Sequence, residues 1–261
     1  MRTVGKALRI LDLFTEQSPV LGLSEIAATT GIDRATCHRM LKVMAQLGYA
    51  SQSSETKKYS LGATVVRLAR TWETVNSLSA TLKLAVEDLV RETGETAHAT
   101  VIAGWQLATV AVSEGTRLNR VYVPSGGRIA VHATASGLVC LAYAPPDFVE
   151  RNLGDDLDAY TETTVTAPGA LREIAAKVRG QGYCVADRSF DMEVVGTGAP
   201  VFGADAVAIG AVAVAVPSSR MTAALQRSTA RAVVRAGYEA TRSHGGIAPP
   251  DFLRAYARIN D

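Results

Sequence analysis

Residues 23–42 read LSEIAATTGIDRATCHRMLK, and their spacing decides how the head of the chain folds. Ser24 with Glu25 opens a short helix from Leu23 to Thr30, with Ile26 and Ala27 turned inward. Gly31 breaks that helix, Asp33 is placed to cap the next one, Arg34 to Leu47, and Gly48 stops it. Ala27 is small where two crossing helices approach closely, Gly31 supplies the turn, and Ile32, Cys37 and Met40 fill the angle between them. Constraints of size, turn and apolarity coinciding over twenty residues are the pattern of a helix-turn-helix. A plain helical hairpin is the alternative from this window alone.

On the second of these helices, Cys37, Met40, Leu41, Met44 and Leu47 share one side and are expected to be buried. Ala35, Arg39, Lys42 and Gln46 fall opposite, with Thr36 and His38 on the flanks. A rod of this kind, rising about 1.5 Å per residue, fits the roughly 12 Å wide major groove of DNA. Arg39, with Arg34 and His38, is expected at base edges, and Thr36, Lys42 and Ser24 at phosphates. Small Ala35 would let the helix sit deep. Upstream, Val4, Leu8, Leu11 and Phe14 recur at helical spacing over residues 4–14. Downstream, residues 49–60 suit a small hairpin whose Lys57 and Lys58 would touch the adjacent backbone, each lysine reading equally well as a solvated charge.

Charge follows the same division. Residues 1–70 hold ten of the 27 Lys and Arg and five of the 25 Asp and Glu, a surplus of five positive charges inside a net +2. The rest is mildly acidic, so only the head is expected to meet a polyanion. With 48% hydrophobic and 20% charged residues the chain has material for real cores, which excludes disorder as the main state. No apolar run approaches the ~20 residues of a membrane helix, and the opening residues lack a secretory leader's apolar segment, so no membrane and a cytoplasmic location are expected. Cys37, Cys140 and Cys184, odd in number and far apart, form neither a disulfide framework nor a zinc signature.

Residues 62–76 and 78–93 read as two further helices, the first a linker. Beyond Gly94 the texture becomes mixed. Strands are expected at 96–103, 106–113, 119–123, 183–186 and 207–216, and helices near 135–144, 146–153, 168–181 and 219–243, with a short tail after Gly246. That mixture is an α+β or α/β domain on one sheet. Along 208–216, Val212, Val214 and Val216 alternate with Ala211, Ala213 and Ala215. The valine face wants a core, and the alanine face leaves room for a closely packed helix or a ligand. The segment 132–137, HATASG, opens a helix whose free N–H groups, with the hydroxyls of Thr134 and Ser136, form a ready anion site or a simple N-cap.

No catalytic constellation emerges: there is no G-x-S-x-G elbow, HExxH pair, P-loop or CxxC, and Gly196-Thr197-Gly198-Ala199 lacks a third glycine. The four histidines are scattered, so neither a metal nor any other cofactor is expected; His98 and His132 read as ordinary structural residues.

The order of helix, helix-turn-helix, hairpin ending Lys58-Tyr59-Ser60-Leu61-Gly62, connecting helix and mixed body resembles the IclR family of bacterial transcriptional regulators. The body agrees through Gly127-Arg128, the HATASG segment, Gly182-Tyr183, Ala199-Pro200-Val201-Phe202 and Pro217-Ser218-Ser219-Arg220. The resemblance implies a winged helix-turn-helix over 1–61, a linker helix over 62–77, a GAF-like effector-binding domain over 78–245 and a tail over 246–261. It also implies homodimers that often pair into tetramers, a double-stranded DNA operator and a small-molecule effector. Positions matching the family's ligand lining are Leu118, Val121, Ala135, Ser136, Ala186, Val194, Gly196, Ala213 and Ala215. Relatives that take very small oxoacids carry polar strand residues where this chain has Ala186, Gly196, Ala213 and Ala215. That departure favours a larger, partly apolar carboxylate or a derivative, aromatic or branched, with Asp187, Arg188 and Asp191 as nearby charges. Other classes left open are a sensor whose head binds a protein, and a small-molecule-modifying enzyme with a vestigial head.

Overall fold

The computed structural model describes residues 2–15, 17–75, 77–124, 129–154 and 156–260. The chain forms two compact units, Met1–Asn76 and Ser77–Asp261. Unit 1 contains α1 (Arg2–Leu11), α2 (Leu23–Thr30), α3 (Arg34–Gln46), the hairpin β1 (Ala50–Gln52) and β2 (Tyr59–Leu61), and α4 (Ala63–Val75). Its helix ends are set as local chemistry dictates. Glu25 reaches back to accept from the Gly22 N–H at 2.6 Å. Gly31 closes α2 at φ +66, a conformation that favours glycine. The Asp33 carboxylate accepts from the Thr36 N–H at 2.8 Å, and that bond holds its pKa below the ordinary value. Ile10, Phe14, Ile26, Ile32, Cys37, Leu41, Met44, Ala50 and Tyr59 form the core.

Two expected buried stripes are shifted. Val4 and Leu8 are 66% and 55% exposed, because α1 turns Ile10 inward and ends before Phe14, which enters the core from the following turn. Leu47, expected inside, is 62% exposed: it is the C-cap that follows the last residue of α3, beyond the last buried position, Met44. Met40 is half-buried.

Unit 2 begins with α5 (Ser77–Thr93) and carries a five-stranded antiparallel sheet in the order β4-β3-β7-β6-β5. The strands are β3 (Thr96–Ala103), β4 (Gln106–Ser113), β5 (Cys184–Asp187), β6 (Val194–Phe202) and β7 (Ala208–Pro217). Helices α6 (Ala135–Tyr143), α7 (Pro146–Asn152) and α8 (Pro168–Gln181) separate β4 from β5. A 3-10 turn (Ser218–Arg220), α9 (Ala223–Ser243) and α10 (Pro250–Asn260) follow β7. Register fixes the two faces. His98 pairs with Ala213, and Gly196 and Gly198 with Ala215 and Ala213, so these residues share one face, on which α6 packs with α8 behind it. Val212, Val214 and Val216, wholly buried, turn to the other face, covered by α5 and α9. The architecture is therefore mixed α+β.

Three elements differ from expectation. Residues 119–123 form no strand: Thr96 Oγ1 donates to the Val121 carbonyl at 2.7 Å and Arg220 to that of Asn119 at 2.9 Å, fastening the segment as an irregular loop. β6 is an additional strand. The segment read as a short tail contains α10, whose Phe252 and Ala255 are 0% and 2% exposed against the body. Among the described residues no helix is long and apolar enough to cross a membrane.

Candidate functional site

Unit 1 exposes one polar face. Arg34, Ala35, His38, Arg39 and Lys42 on α3 are all exposed, as is Ser24 on α2, while Thr36 is half-buried. Ser24, Arg34, His38, Lys57 and Lys58 line a single open groove between the starts of α2 and α3 and the hairpin, together with Glu25, Gln52 and Tyr59. The hairpin tip is held rather than dangling. Lys57 sits at φ +57, its N–H donates to the Ser53 carbonyl at 3.0 Å, and Gln52 Nε2 donates to its carbonyl at 2.9 Å. Arg39 lies on the next turn of α3, outside the groove, and donates to Thr36 Oγ1 at 3.1 Å. A protruding helix with cationic donors beside a basic groove has the chemistry to read base edges while gripping phosphate.

Unit 2 holds a cavity of about 180 Å³ between the sheet and the start of α6. Val121, Thr134, Ala135, Ser136, Ala186, Val194, Gly196, Ala213 and Ala215 all line it, joined by His98, Thr109, Tyr122, Ile129 and Phe190. Leu118 does not: it is fully exposed, because the loop that replaces the expected strand turns its side chain outward. Small side chains make the space. A Cβ on Gly196 would stand 3.4 Å from the Ala135 methyl, and one on Gly198 would come within 3.2 Å of the α6 backbone. Glycine at 198, and to a lesser degree at 196, therefore lets the first turn of α6 sit close against the sheet.

The polar groups of the lining are few. Thr134 caps α6: its hydroxyl accepts from the Gly137 N–H at 3.2 Å and donates to the Ala130 carbonyl at 2.9 Å, so it is spent on the helix. The N–H groups of Ala135 and Ser136 precede the first intrahelical bonds and remain the anion-attracting end of the helix dipole. Ser136 Oγ lies 3.2 Å from His98 Nε2. Burial pushes the His98 ring down to about 4, so it is neutral near pH 7. His98 escaped the reading of the sequence because only strand register reveals that residue 98 faces Ala213. Of the nearby charges, Asp191 lines the cavity, whereas Asp187 and Arg188 pair with each other at 3.0 Å outside it.

Elsewhere, His132 Nε2 is bonded to the Asp158 carbonyl at 2.9 Å and its ring rests near Tyr160. Cys37, Cys140 and Cys184 are buried free thiols, and burial pushes Cys140 and Cys184 up to about 12, far from a reactive thiolate. Among the described residues, no His, Cys, Asp and Glu cluster is arranged to hold a metal ion.

Comparison with known proteins places these two units. The sequence model of the IclR helix-turn-helix domain matches residues 3–54, and that of the bacterial transcriptional regulator IclR C-terminal domain matches residues 71–240. The transcriptional repressor IclR of Escherichia coli K12 is 26% identical over 250 residues, covering 95% of this chain and 91% of its own. A solved chain from Silicibacter sp. TM1040, classed with the IclR transcriptional regulators, superposes with a TM-score of 0.87 at 35% identity, covering 96% of this chain and 99% of that one. An IclR homologue from Microbacterium hydrocarbonoxydans, solved in complex with 4-hydroxybenzoate, superposes at 0.73 and 22% identity over 93% of this chain and 99% of that one.

Proposed function

Since the chain belongs to the IclR family of bacterial transcriptional regulators, whose members matched are regulators and not enzymes, we propose that unit 1 reads an operator and that the cavity in unit 2 takes its effector. In this reading a dimer sets two copies of α3 into successive major grooves of a near-palindromic site, about 34 Å apart or a multiple of that. Dimers pair further in some assemblies, and the protein works in the cytoplasm. Arg39, Arg34 and His38 face bases over the small Ala35, while Ser24, Thr36, Lys42, Lys57 and Lys58 hold phosphates. The observation that carries the DNA assignment is the convergence of Ser24, Arg34, His38, Lys57 and Lys58, from three separate elements, on one exposed groove.

The effector is a partly apolar carboxylate, in the size range of a benzoate, and the regulated genes are an adjacent catabolic operon. A cavity of about 150 Å³ suffices for benzene, so one ring with a small substituent fits the ~180 Å³ here. Alanine and glycine at 186, 196, 213 and 215 offer a polar oxoacid no side-chain partners, and each unpaired oxygen would cost about 1–3 kcal/mol. The 4-hydroxybenzoate complex of the Microbacterium homologue supports the same chemistry. Effector binding shifts the heads through residues 62–77 only to the extent that it prefers one arrangement over the other.

The test is fluorescence anisotropy on the promoter fragment beside the gene. Binding should fall steeply with salt, and Arg39→Ala should weaken it at least about fivefold and relax its discrimination against a fragment of altered sequence. An unchanged isotherm removes Arg39 from the interface. Salt-independent binding to a protein, with none to DNA, would favour a protein-docking head instead.

A further inference from the structure

The His98–Ser136 contact has a direction that the chemistry of the cavity decides. A neutral imidazole carries one proton. If it lies on Nδ1, a buried N–H donor is left with no partner, since Nδ1 has none among the described residues and is sealed from solvent. If it lies on Nε2, the proton goes to Ser136 Oγ, and Nδ1 keeps only an unused lone pair. Orphaned buried donors are the rarer and more costly case. Nε2–H therefore donates to Ser136 Oγ at 3.2 Å. A hydroxyl that accepts this bond keeps its own proton to donate, that proton has no acceptor among the described residues, and Ser136 lines the cavity on the first turn of α6.

We propose that His98 orients the Ser136 hydroxyl so that its proton points into the cavity, making Ser136 a specificity-determining donor for an acceptor oxygen of the ligand. The pair thus selects a carboxylate or keto oxygen over a group of similar shape that is itself a donor. This deepens, and rests on, the effector reading above. Ser136 touches the ligand and His98 is a positioning residue. The carboxylate is met by a hydroxyl and by the N–H groups opening α6, not by an imidazolium charge.

Two measurements on the full chain test the proposal. Long-range 1H–15N correlation on protein labelled at histidine reads the His98 tautomer without any ligand. The Nε2–H form is expected, and an Nδ1–H form overturns the proposal. Calorimetric titration with 4-hydroxybenzoate then compares wild type, Ser136→Ala, His98→Leu, the double variant and His98→Gln. Ser136→Ala should bind about tenfold more weakly, as for loss of a hydrogen bond to a charged group. His98→Leu should lose a similar factor in the wild-type background and almost nothing beyond Ser136→Ala. His98→Gln, whose amide nitrogen stands near the place of Nε2, should recover most of the affinity. Equal losses from His98→Leu in both backgrounds would mark a packing role and refute the claim. If wild type gives no heat with 4-hydroxybenzoate, the ligand class proposed above falls, and the tautomer alone then decides the arrangement of the pair.

Discussion

A buried neutral histidine makes stability fall as acid is added, and the size of the effect follows from the cavity wall. His98 titrates near 4 in the native chain, because desolvation opposes its charged form, against 6.5 for an ordinary histidine. Native and unfolded chains are both unprotonated there well above pH 6.5, so His98 has no effect on stability. Between pH 6.5 and 4 the unfolded chain takes up the proton and the native chain does not, so stability drops by about 1.4 kcal/mol per pH unit. The loss reaches about 2 kcal/mol at pH 5 and levels off near 3 kcal/mol below pH 4. Asp191 is the charged residue of the cavity lining among those described. Urea denaturation at pH 7.5, 6, 5 and 4.5, at fixed protein concentration, gives the comparison for wild type and His98→Gln. Taking the difference between the two cancels every other titrating group and any separate transition of unit 1. Wild type should lose about 2 kcal/mol more than the variant between pH 7.5 and 5. Parallel curves, within about 0.5 kcal/mol, would mean that the ring is charged or solvated in the native state, and the neutral donor of the cavity would go with it.

Two further outcomes follow from the same unit. Glu95, wholly buried, receives two bonds of 2.7 Å from the Arg220 guanidinium, with Arg117 Nε at 3.4 Å. Arg220→Ala should destabilise by about 3 kcal/mol, the lower end for a buried carboxylate left without its partner because Arg117 remains, and thermal unfolding reads it. Gly137→Ala would put a Cβ 2.0 Å from the Val131 carbonyl oxygen, so the turn opening α6 must move. That variant should lose several kcal/mol of stability and its effector response together, and wild-type ligand-induced thermal shifts would refute the assigned position of α6.

Much of the fold is legible because its signals are local. The α2–α3 corner needs a small residue, a positive φ and a cap in order, and Ala27, Gly31 and Asp33 supply them. β3, β4 and β7 announce themselves as short runs rich in Val, Ala and Thr, and β7 also by its valine–alanine alternation. β6 is hidden for a physical reason: Gly196, Gly198 and Pro200 belong to residue types depleted in strands, yet they occupy a central one. The two glycines leave room for the first turn of α6, and the Pro200 carbonyl lies against Gly237 of α9. α10 is hidden by Pro249 and Pro250, which read as breakers, although a proline is well suited to the first turn of a helix. The stripe of α1 misleads because Val4 and Leu8 are apolar without being buried in this chain.

The head and the cavity differ in legibility because they use different physics. A recognition helix displays its chemistry on a single element, so 3.6-residue periodicity alone brings Ala35, Arg39 and Lys42 to one face. The groove adds Ser24 from α2, and Lys57 and Lys58 from a hairpin whose tip the polar run 51–58 already marks. The cavity, by contrast, is assembled across β3, β6, β7 and α6, and none of its walls is distinctive alone. Ala213 and Ala215 mean helix packing or ligand space with equal right, and the register is what separates Ala211, beneath α6 in the closed core, from its two open neighbours. Residue 98 shows the limit most sharply. In sequence it is one histidine of four; in the sheet it is the polar group that decides which way a serine proton points. Specificity here resides in a pair 38 residues apart, joined by a hydrogen bond that no local pattern encodes.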